Sequence, residues 1–312
     1  MELIRRLEGA ARECAVTIGS FDGIHLGHRA LIERVRQHAR RLGLPSMMVS
    51  FEPLPREFLQ SAGPPARLTN FRERWRLLAG SGIDRLCLLR FDQRLRMLTG
   101  RDFMALLASA GARVVVVGHD FRFGRGGEAS AEWCAAHGAQ FGFEVDIVAP
   151  VLVGDLRVSS GMVRETLASA DFAAAERLLG RPYGMRGRVR HGNRLGRKLG
   201  FPTANIAVKR RRVPLQGVFA VQVAGAPPAA GRGPALHPGV ANLGTRPMVD
   251  GAQMLLEAHL FDFDADLYGR ELEVRFVARL REERRFDSMD AMVQQMRLDA
   301  DEARSLLGLP SP

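Results

Sequence analysis

The sequence has few cysteines and no hydrophobic run long enough to span a bilayer. Its 312 residues include only Cys14, Cys87 and Cys134, which are far apart and form no C-x-x-C or Cys/His pattern. Neither a disulfide framework nor a zinc site is therefore indicated. No segment reaches the roughly 18 apolar residues of a membrane span, and residues 1–12 lack the apolar core of a secretion signal. We expect buried free thiols, no membrane partner and a cytoplasmic location.

The chain is also short of acidic residues, since 34 Asp and Glu stand against 45 Lys and Arg, for a net charge of +11. Such a charge suits nucleic acid, but the arginines are scattered and form no basic tail, and no recognition motif or run of stacking aromatics accompanies them. Phosphorylated small molecules also require arginine. A nucleic-acid-binding protein stays open as the non-enzyme alternative, while we favour small-molecule ligands and expect no nucleic-acid partner.

The first half of the chain alternates β-rich runs with segments of helical apolar spacing. We predict strands at residues 13–18, 46–51, 85–91, 114–118 and 145–148. Helical spacing lies between them, at residues 28–42, 71–81 and 100–109. This β-α repetition predicts a doubly wound parallel sheet of the kind that binds nucleotides.

The second half has a different pattern. Two further predicted helices, at residues 160–168 and 173–179, end at Gly180, and R-P-Y-G at residues 181–184 then breaks the periodicity. Beyond it, β-rich runs separated by Gly and Pro predict a small antiparallel barrel, with residues 225–238 as a flexible hairpin insertion and residues 289–307 as a closing helix. We therefore predict two domains, residues 1–180 and 181–312, of α/β and β class respectively.

A glycine-rich block lies between the first strand and the first helix. It reads G-S-F-D-G-I-H-L-G-H over residues 19–28. Glycines let the backbone approach a ligand, and a helix start offers free N–H groups to phosphate oxygens. His25 and His28 have the H-x-G-H spacing that can direct two imidazoles at one phosphate chain. The alternative is a helix cap with two surface histidines. The candidate phosphate-binding residues of the block are Gly19, Phe21, Asp22 and Gly23.

A second glycine-rich run opens the C-terminal half. It reads G-R-V-R-H-G-N-R-L-G-R-K-L-G-F-P-T-A-N over residues 187–205 and lacks the Gly-Lys-Ser/Thr of a Walker A loop. Its glycines can admit a phosphate chain, and Thr203 and Asn205 offer oxygen ligands of the kind that Mg²⁺ accepts. A polar turn is the alternative for P-T-A-N taken alone. The candidate phosphate-binding residues here are Gly192, Gly196, Lys198, Thr203 and Asn205.

The N-terminal block resembles the H-x-G-H nucleotidyltransferases, and within them the FAD-forming domain of bacterial bifunctional riboflavin kinase/FAD synthetases. Further segments resemble this family in the same order, namely F-E-P-L-P at residues 51–55, G-H-D-F-R-F-G at 118–124 and R-V-S-S-G-M-V-R at 157–164. The resemblance implies a flavin and nucleotide pocket at Asp120, Phe121 and Arg122. It also implies a triphosphate site at Arg157, Ser159, Ser160 and Arg164, although the serine pair alone could be a helix cap.

The C-terminal run resembles the riboflavin kinase signature of the same family. Later segments also resemble it: G-V-A-N-L-G-T-R-P at residues 239–247, E-A-H-L at 257–260 and L-R-E-E-R-R-F at 280–286. The resemblance implies that Thr203 and Asn205 bind Mg²⁺ with ATP and that Glu257 is the catalytic base, whereas an isolated glutamate would be read as a solvated strand residue. It further implies flavin-binding roles for Arg246, Arg281 and Phe286.

Four positions depart from this family's usual residues. Leu54 stands in place of His and Gly161 in place of Thr, while Met248 and Phe219 replace Thr and Tyr. The resemblance as a whole implies two ATP-dependent steps, riboflavin to FMN and FMN to FAD, with Mg²⁺ as cofactor and ATP as co-substrate. An adenylyltransferase for another phosphorylated vitamin is the rival enzyme interpretation, and the kinase-like half argues against it.

Overall fold

The computed structural model describes residues 1–7, 13–191, 196, 199–228, 236–248 and 251–310, and of residues 246–248 and 251–253 it describes the backbone only. The chain divides into two units. The first comprises Met1–Pro65 and Phe71–Ser160, and the second comprises Ala66–Asn70 and Gly161–Pro312. The five residues Ala66–Asn70 thus belong to the unit that follows them in sequence. Their backbone is held there, as the Leu68 carbonyl accepts a hydrogen bond from the Tyr183 hydroxyl at 3.3 Å.

The first unit is built on a six-stranded parallel sheet in the order β1-β4-β3-β2-β5-β8. Its strands are β1 Glu2–Ile4, β2 Cys14–Ile18, β3 Ser46–Glu52, β4 Arg85–Arg90, β5 Ala112–Gly118 and β8 Glu144–Val148. Short antiparallel pairs are formed by β6 Arg122–Phe123 with β7 Ala129–Ser130, and by β9 Leu152–Val153 with β10 Leu156–Arg157. The helices are α1 Leu26–Leu42, α2 Pro55–Leu59, α3 Phe71–Ala79, α4 Gln93–Met97, α5 Gly100–Ser109 and α6 Ala131–His137.

The sheet is buried on both faces. Alternate residues of β5 enter separate hydrophobic clusters, Val115 and Val117 on one side and Val114 and Val116 on the other, because successive strand side chains point to opposite faces. Strands covered on both sides read as continuous apolar runs, which is how β2 and β5 are recognised in the sequence. The doubly wound sheet predicted from the sequence is confirmed.

The second unit is a closed six-stranded antiparallel barrel with helices. Its strands follow the order β11-β12-β15-β14-β13-β16. They are β11 Gly184–Arg190, β12 Ala204–Ala207, β13 Gly217–Ala224, β14 His237–Met248, β15 Gly251–Leu260 and β16 Glu271–Arg281. The helices are α7 Ser160–Ala168, which starts at the last residue of the first unit, α8 Phe172–Leu179 and α9 Met289–Leu306. The predicted barrel and closing helix are confirmed.

Helix α8 packs against the barrel. The ring of Phe172 lies 5.9 Å from that of Phe219 and 6.1 Å from that of Phe276, measured between centroids. Phe219, one of the departures from the family pattern, is fully buried in this aromatic group. The hairpin predicted around residues 225–238 is formed by β13 and β14, which pair from Gly217 opposite Leu243 to Val223 opposite His237. Most of its tip, residues 229–235, is outside the described residues.

The three cysteines are buried free thiols, as expected. Burial raises the pKa of Cys14 and Cys134 to about 11 and that of Cys87 to about 12, because desolvation disfavours the thiolate. None of the helices in the described part of the chain is both long and apolar enough to cross a membrane.

Candidate functional sites

The first candidate site is the connection from β2 to α1. His25 is the residue before α1, and its Nδ1 accepts a hydrogen bond from the His28 backbone N–H at 3.3 Å. The two imidazole rings are stacked, with centroids 3.6 Å apart and planes inclined by 19°. Gly27 makes this possible because a Cβ there would lie 3.2 Å from the His25 ring. The histidine pair predicted from the H-x-G-H spacing therefore lies together at the start of a helix.

The residues before His25 form a tight turn. Phe21 and Ile24 have positive φ angles of 50° and 44°, and Gly23 has one of 88°. Phe21 and Asp22 are buried, with 0% and 2% exposure. The Ser160 hydroxyl donates a hydrogen bond to the Asp22 carbonyl at 3.0 Å. Ser160, predicted as a phosphate ligand, thus also fixes the glycine-rich loop.

Other predicted residues of the first site contact one another or close neighbours in the sequence. Arg157 forms an ion pair with Asp120, which brings a candidate triphosphate residue next to a candidate flavin residue. Phe121 stacks on Phe123 with centroids 5.3 Å apart. Arg122 donates to the carbonyl of Gly127 at 3.4 Å, across a 3₁₀ turn at Arg125–Gly127.

Two further positions are Arg164, a predicted triphosphate residue, and Leu54, a departure from the family pattern. Arg164 lies in α7 as part of the second unit, where its Nε donates to the Ala66 carbonyl. Leu54, which replaces a family histidine, is buried at 5% exposure at the start of α2, and its backbone N–H donates to the Glu57 carboxylate at 3.1 Å. An apolar side chain at this position is therefore accommodated by packing.

The second candidate site is a cavity of about 450 Å³ in the barrel unit. Three polar residues stand side by side on neighbouring strands at its wall. Asn205 of β12 and Asn242 of β14 are both register partners of Glu257, which lies on β15 between them. All three are half-buried, and Thr203 and Gly196 also line the cavity. The structure thus brings Thr203, Asn205 and Glu257 together, which the sequence could indicate only by family resemblance.

Close backbone packing shapes the entrance to β12. A Cβ on Gly196 would lie 2.3 Å from the Phe201 carbonyl oxygen. The Phe201 backbone N–H donates a hydrogen bond to the Gly196 carbonyl at 2.8 Å. His259 Nδ1 donates to the Pro202 carbonyl at 2.8 Å. Desolvation lowers the pKa of His259 from its usual value, which favours the neutral imidazole that this hydrogen bond orients. Gly192 and Lys198, and the side chain of Arg246, are outside the described residues.

Residues of β16 and α9 form another part of the cavity wall. The Arg281 guanidinium makes a bidentate ion pair with Asp299, with its Nε at 2.9 and 3.0 Å from the two carboxylate oxygens and Nη2 at 2.8 Å. Asp299 is 3% exposed and also accepts from Gln295 at 2.7 Å. Arg281 and Arg284 both lie over the Phe286 ring, at 5.6 and 4.9 Å from its centroid.

Residues of α9 were absent from the site inferred from the sequence. Met292, Met296, Asp299 and Ala300 all line the cavity, and their spacing of four, three and one residues is that of one helical face. This spacing is the sequence signal that could have indicated a cavity-lining face, although such a face on a terminal helix more often packs in the core. Asn242 and Glu283, whose side chains are joined by a 3.2 Å hydrogen bond, were also missed.

Comparisons with known proteins cover both units. A family model described as FAD synthetase matches residues 7–162, and one described as riboflavin kinase matches residues 179–307. The bifunctional riboflavin kinase/FMN adenylyltransferase of Escherichia coli (strain K12) is 43% identical over 100% of both chains. That of Pseudomonas fluorescens is 45% identical over 98% of both. A crystal structure described as a macrolide-efflux protein from Streptococcus pneumoniae is 31% identical, covers 96% of this chain and 97% of its own, and superposes with a TM-score of 0.76.

Proposed function

The chain belongs to the family of bifunctional riboflavin kinase/FMN adenylyltransferases, and we propose which of its residues carry each reaction. The enzyme phosphorylates riboflavin to FMN and transfers an adenylyl group to FMN to give FAD, with ATP as co-substrate in both steps. The family resemblance and the two activities inferred from the sequence are thereby confirmed. These matches do not support the rival adenylyltransferase for another vitamin, because the first half of the chain matches FAD synthetase and the second half matches riboflavin kinase.

Glu257 is the proposed base of the kinase step. The observation that supports this is its position between Asn205 and Asn242 at the wall of the cavity, where two amide side chains can orient a carboxylate. Glu257 accepts the proton of the terminal ribityl hydroxyl as that oxygen attacks the γ-phosphorus of ATP, and ADP leaves. Positioning of the two substrates and electrostatic stabilisation account for most of such a reaction.

Thr203 and Asn205 are the proposed magnesium ligands. Both line the cavity that Glu257 also lines, and a hydroxyl and an amide oxygen are hard, neutral donors that suit Mg²⁺. The described residues contain no cluster of three or more His, Cys, Asp or Glu that could hold a metal, so substrate phosphates and water would complete the coordination. When bound, Mg²⁺ would neutralise charge on the transferring phosphoryl group.

Thr203→Val should raise the magnesium concentration that gives half-maximal riboflavin phosphorylation by roughly tenfold, equivalent to about 1.4 kcal/mol. Valine keeps the shape of threonine but has no oxygen ligand. Magnesium titrations of FMN formation measure the effect, and FAD formation from supplied FMN should keep its magnesium dependence. Thr166→Val, in α7 and away from the cavity lining, is the matched control. An unchanged titration curve for Thr203→Val would remove Thr203 from the metal site.

The adenylylation step is assigned to the loop of residues 19–23 and the histidine pair. The nucleophile is an oxygen of the FMN phosphate, which is already an anion at neutral pH, so the step needs no base. It attacks the α-phosphorus of ATP, and pyrophosphate leaves. His25 and His28 stabilise the charge that develops on the phosphates, with Arg157, Ser159, Ser160 and Arg164 as further phosphate ligands and Asp120, Phe121 and Arg122 on the flavin side. The stacked histidines at the start of α1 support this assignment.

Arg281 and Phe286 are the proposed flavin-side residues of the kinase, together with Arg246. The ion pair between Arg281 and Asp299 indicates that Arg281 shapes this wall by holding the Phe286 segment and α9 together. Gly192, Gly196 and Lys198 are proposed to contact the phosphates of ATP in this half.

Asp299→Asn should raise the KM for riboflavin about tenfold, because the substitution keeps the side-chain shape but weakens a charge-assisted pair beside the flavin. Steady-state FMN formation measures it, while FAD formation from supplied FMN should be unchanged. Asp301→Asn, an exposed position on the same helix, is the matched control. Equal KM values for the two variants would contradict a role for the Arg281–Asp299 pair in the flavin site.

We propose that the two activities divide near Gly180, with the adenylyltransferase in residues 1–180 and the kinase in residues 181–312, because all kinase-like motifs follow that point. Helices α7 and α8 precede it but, apart from Ser160, belong to the barrel unit, so they are expected to support the kinase structurally. A cytoplasmic location is also proposed, since both steps consume ATP.

Conversion of riboflavin by the purified enzyme tests the assigned chemistry. Incubation with riboflavin, ATP and Mg²⁺ should give FMN first and FAD later, resolved by chromatography. Omission of Mg²⁺ should stop FMN formation. Formation of FMN at the full rate in excess chelator would remove the magnesium proposal.

A further inference from the structure

Arg74 is a buried charged residue of the first unit that none of the assigned roles uses. It lies on α3, and its side chain is 1% exposed. Its Nη1 donates to the Ser20 carbonyl at 2.9 Å, and its Nη2 donates to the Phe51 carbonyl at 3.2 Å and to the Glu52 carboxylate at 3.0 Å. One guanidinium therefore joins the glycine-rich loop after β2 to the end of β3.

The Ser20 carbonyl is the point where this loop is fixed. It accepts a second hydrogen bond, from the Ser50 hydroxyl at 3.2 Å. The next residue, Phe21, is the first of the left-handed residues of the loop, with φ of 50°. A non-glycine residue keeps such a conformation only where the surrounding structure determines it. The donors on Ser20 thus hold the entrance to the strained segment that leads to His25.

Geometry distinguishes arginine from other residues at this position. The planar guanidinium presents several N–H groups in a fixed fork, so it can hold two backbone carbonyls and a carboxylate at once, whereas an ammonium group is a single point donor. Replacing both partners of a buried ion pair by apolar side chains of similar size is often tolerated by a fold, whereas removing one partner alone is destabilising. A contribution to stability alone therefore does not explain why a charged side chain is buried at position 74.

We propose that Arg74 is a positioning residue for adenylyl transfer. It fixes the carbonyl of Ser20, and through it the loop of residues 19–23 and the histidine pair, in the geometry that receives the phosphates of ATP. This inference rests on the proposed assignment of that loop to the adenylylation site. Arg74 itself need not touch substrate, because it acts through the backbone of the loop.

The experiment compares Arg74→Met, Arg74→Lys and Leu78→Ala in the full-length enzyme. Leu78 lies on the same helix and is fully buried in the core cluster that also contains Phe21, so Leu78→Ala destabilises the unit without removing a hydrogen bond to the loop. FAD formation from FMN is measured at varied ATP, well below the melting temperature of each variant. Displacement of a reacting group by about 1 Å can cost on the order of 10²-fold, so Arg74→Met should lower kcat/KM for ATP by roughly 10- to 100-fold, with a higher KM.

Arg74→Lys should recover part of this loss, since one hydrogen bond can be restored, and Leu78→Ala should keep the ATP parameters of the original enzyme. Riboflavin phosphorylation should be unchanged in all three variants. Normal kcat and KM in folded Arg74→Met would overturn the proposal, as would an equal loss in Leu78→Ala. His28→Ala distinguishes failure of the positioning role from failure of the loop assignment. If both His28→Ala and Arg74→Met form FAD normally, the assignment of the loop to adenylylation fails. If His28→Ala is impaired and Arg74→Met is normal, only the positioning role of Arg74 fails.

Discussion

Glu257→Gln is expected to slow riboflavin phosphorylation by roughly 10²- to 10⁴-fold, the usual contribution of a positioned acid or base. Glutamine keeps the volume and hydrogen-bonding reach of glutamate between Asn205 and Asn242, but it cannot take the ribityl proton as a carboxylate does. FMN formation from riboflavin measures the loss, with folding checked by a thermal melt.

The same variant should adenylylate supplied FMN at nearly the original rate, because that step needs no base and all its proposed residues except Arg164 lie in the other unit. Glu302→Gln, an exposed position on α9, is the matched control and should leave both activities unchanged. Retained kinase activity in Glu257→Gln would remove Glu257 from the catalytic role. Loss of both activities in a folded protein would show that the two sites depend on one another.

His28→Ala should lower FAD formation from FMN by about 10²-fold or more, the scale seen when one preorganised charge-stabilising group is lost. The ring of His28 is stacked on that of His25 at 3.6 Å, so its removal also leaves the second imidazole less well oriented. Riboflavin phosphorylation should be nearly intact.

His38→Ala provides the control for His28→Ala. His38 lies on the same helix, α1, but its Nε2 is bound to Asp146 at 2.6 Å, and no role in either reaction is assigned to it. FAD formation should be normal in this variant. If His28→Ala formed FAD from supplied FMN as fast as His38→Ala does, the histidine pair would have only a structural role at the start of α1.

The repeating elements of this fold could be predicted from the sequence, whereas elements that depend on distant partners could not. Strands β2 and β5 are continuous apolar runs, and α1 and α5 carry strong helical spacing, so local pattern is sufficient. Strand β12, at Ala204–Ala207, was missed because Pro202 and Thr203 precede it and four residues are too few to show alternation. It is a strand because β11 and β15 pair with it on both sides.

The candidate sites show the same limit. Short motifs predict site roles for Glu257, Thr203 and the histidine pair, because the segments that resemble the family contain these residues in a fixed order. The role of Asp299 depends on a helix packing against the barrel, which no local pattern specifies. Arg74 is similar, since a lone arginine in a helix is ordinarily a solvated side chain, and only the tertiary structure shows that its guanidinium is buried between two backbone carbonyls.

Segment Ala66–Asn70 lies within residues 1–180, which the sequence predicts to form the first domain. In the structure it belongs to the barrel unit, where Leu68 and Thr69 are buried at 0% and 5% exposure. The Arg67 N–H donates to the Arg212 carbonyl at 3.1 Å. The sequence places the domain boundary where the helical pattern ends at Gly180. Such a local signal cannot show that a segment more than 100 residues earlier belongs to the barrel unit.

The central claim is that one chain carries two separate active sites, one built around Glu257 and the other around His28. A mixture of Glu257→Gln and His28→Ala enzymes tests it most directly. Given riboflavin, ATP and Mg²⁺, each variant alone should form little FAD, the first for lack of FMN and the second for lack of adenylylation. The mixture should form FAD. The His28→Ala enzyme makes FMN and releases it, and the intact adenylylation site of the Glu257→Gln enzyme then converts this FMN to FAD. Absence of FAD from the mixture, while FMN accumulates in solution, would contradict the assignment of the two reactions to independent sites.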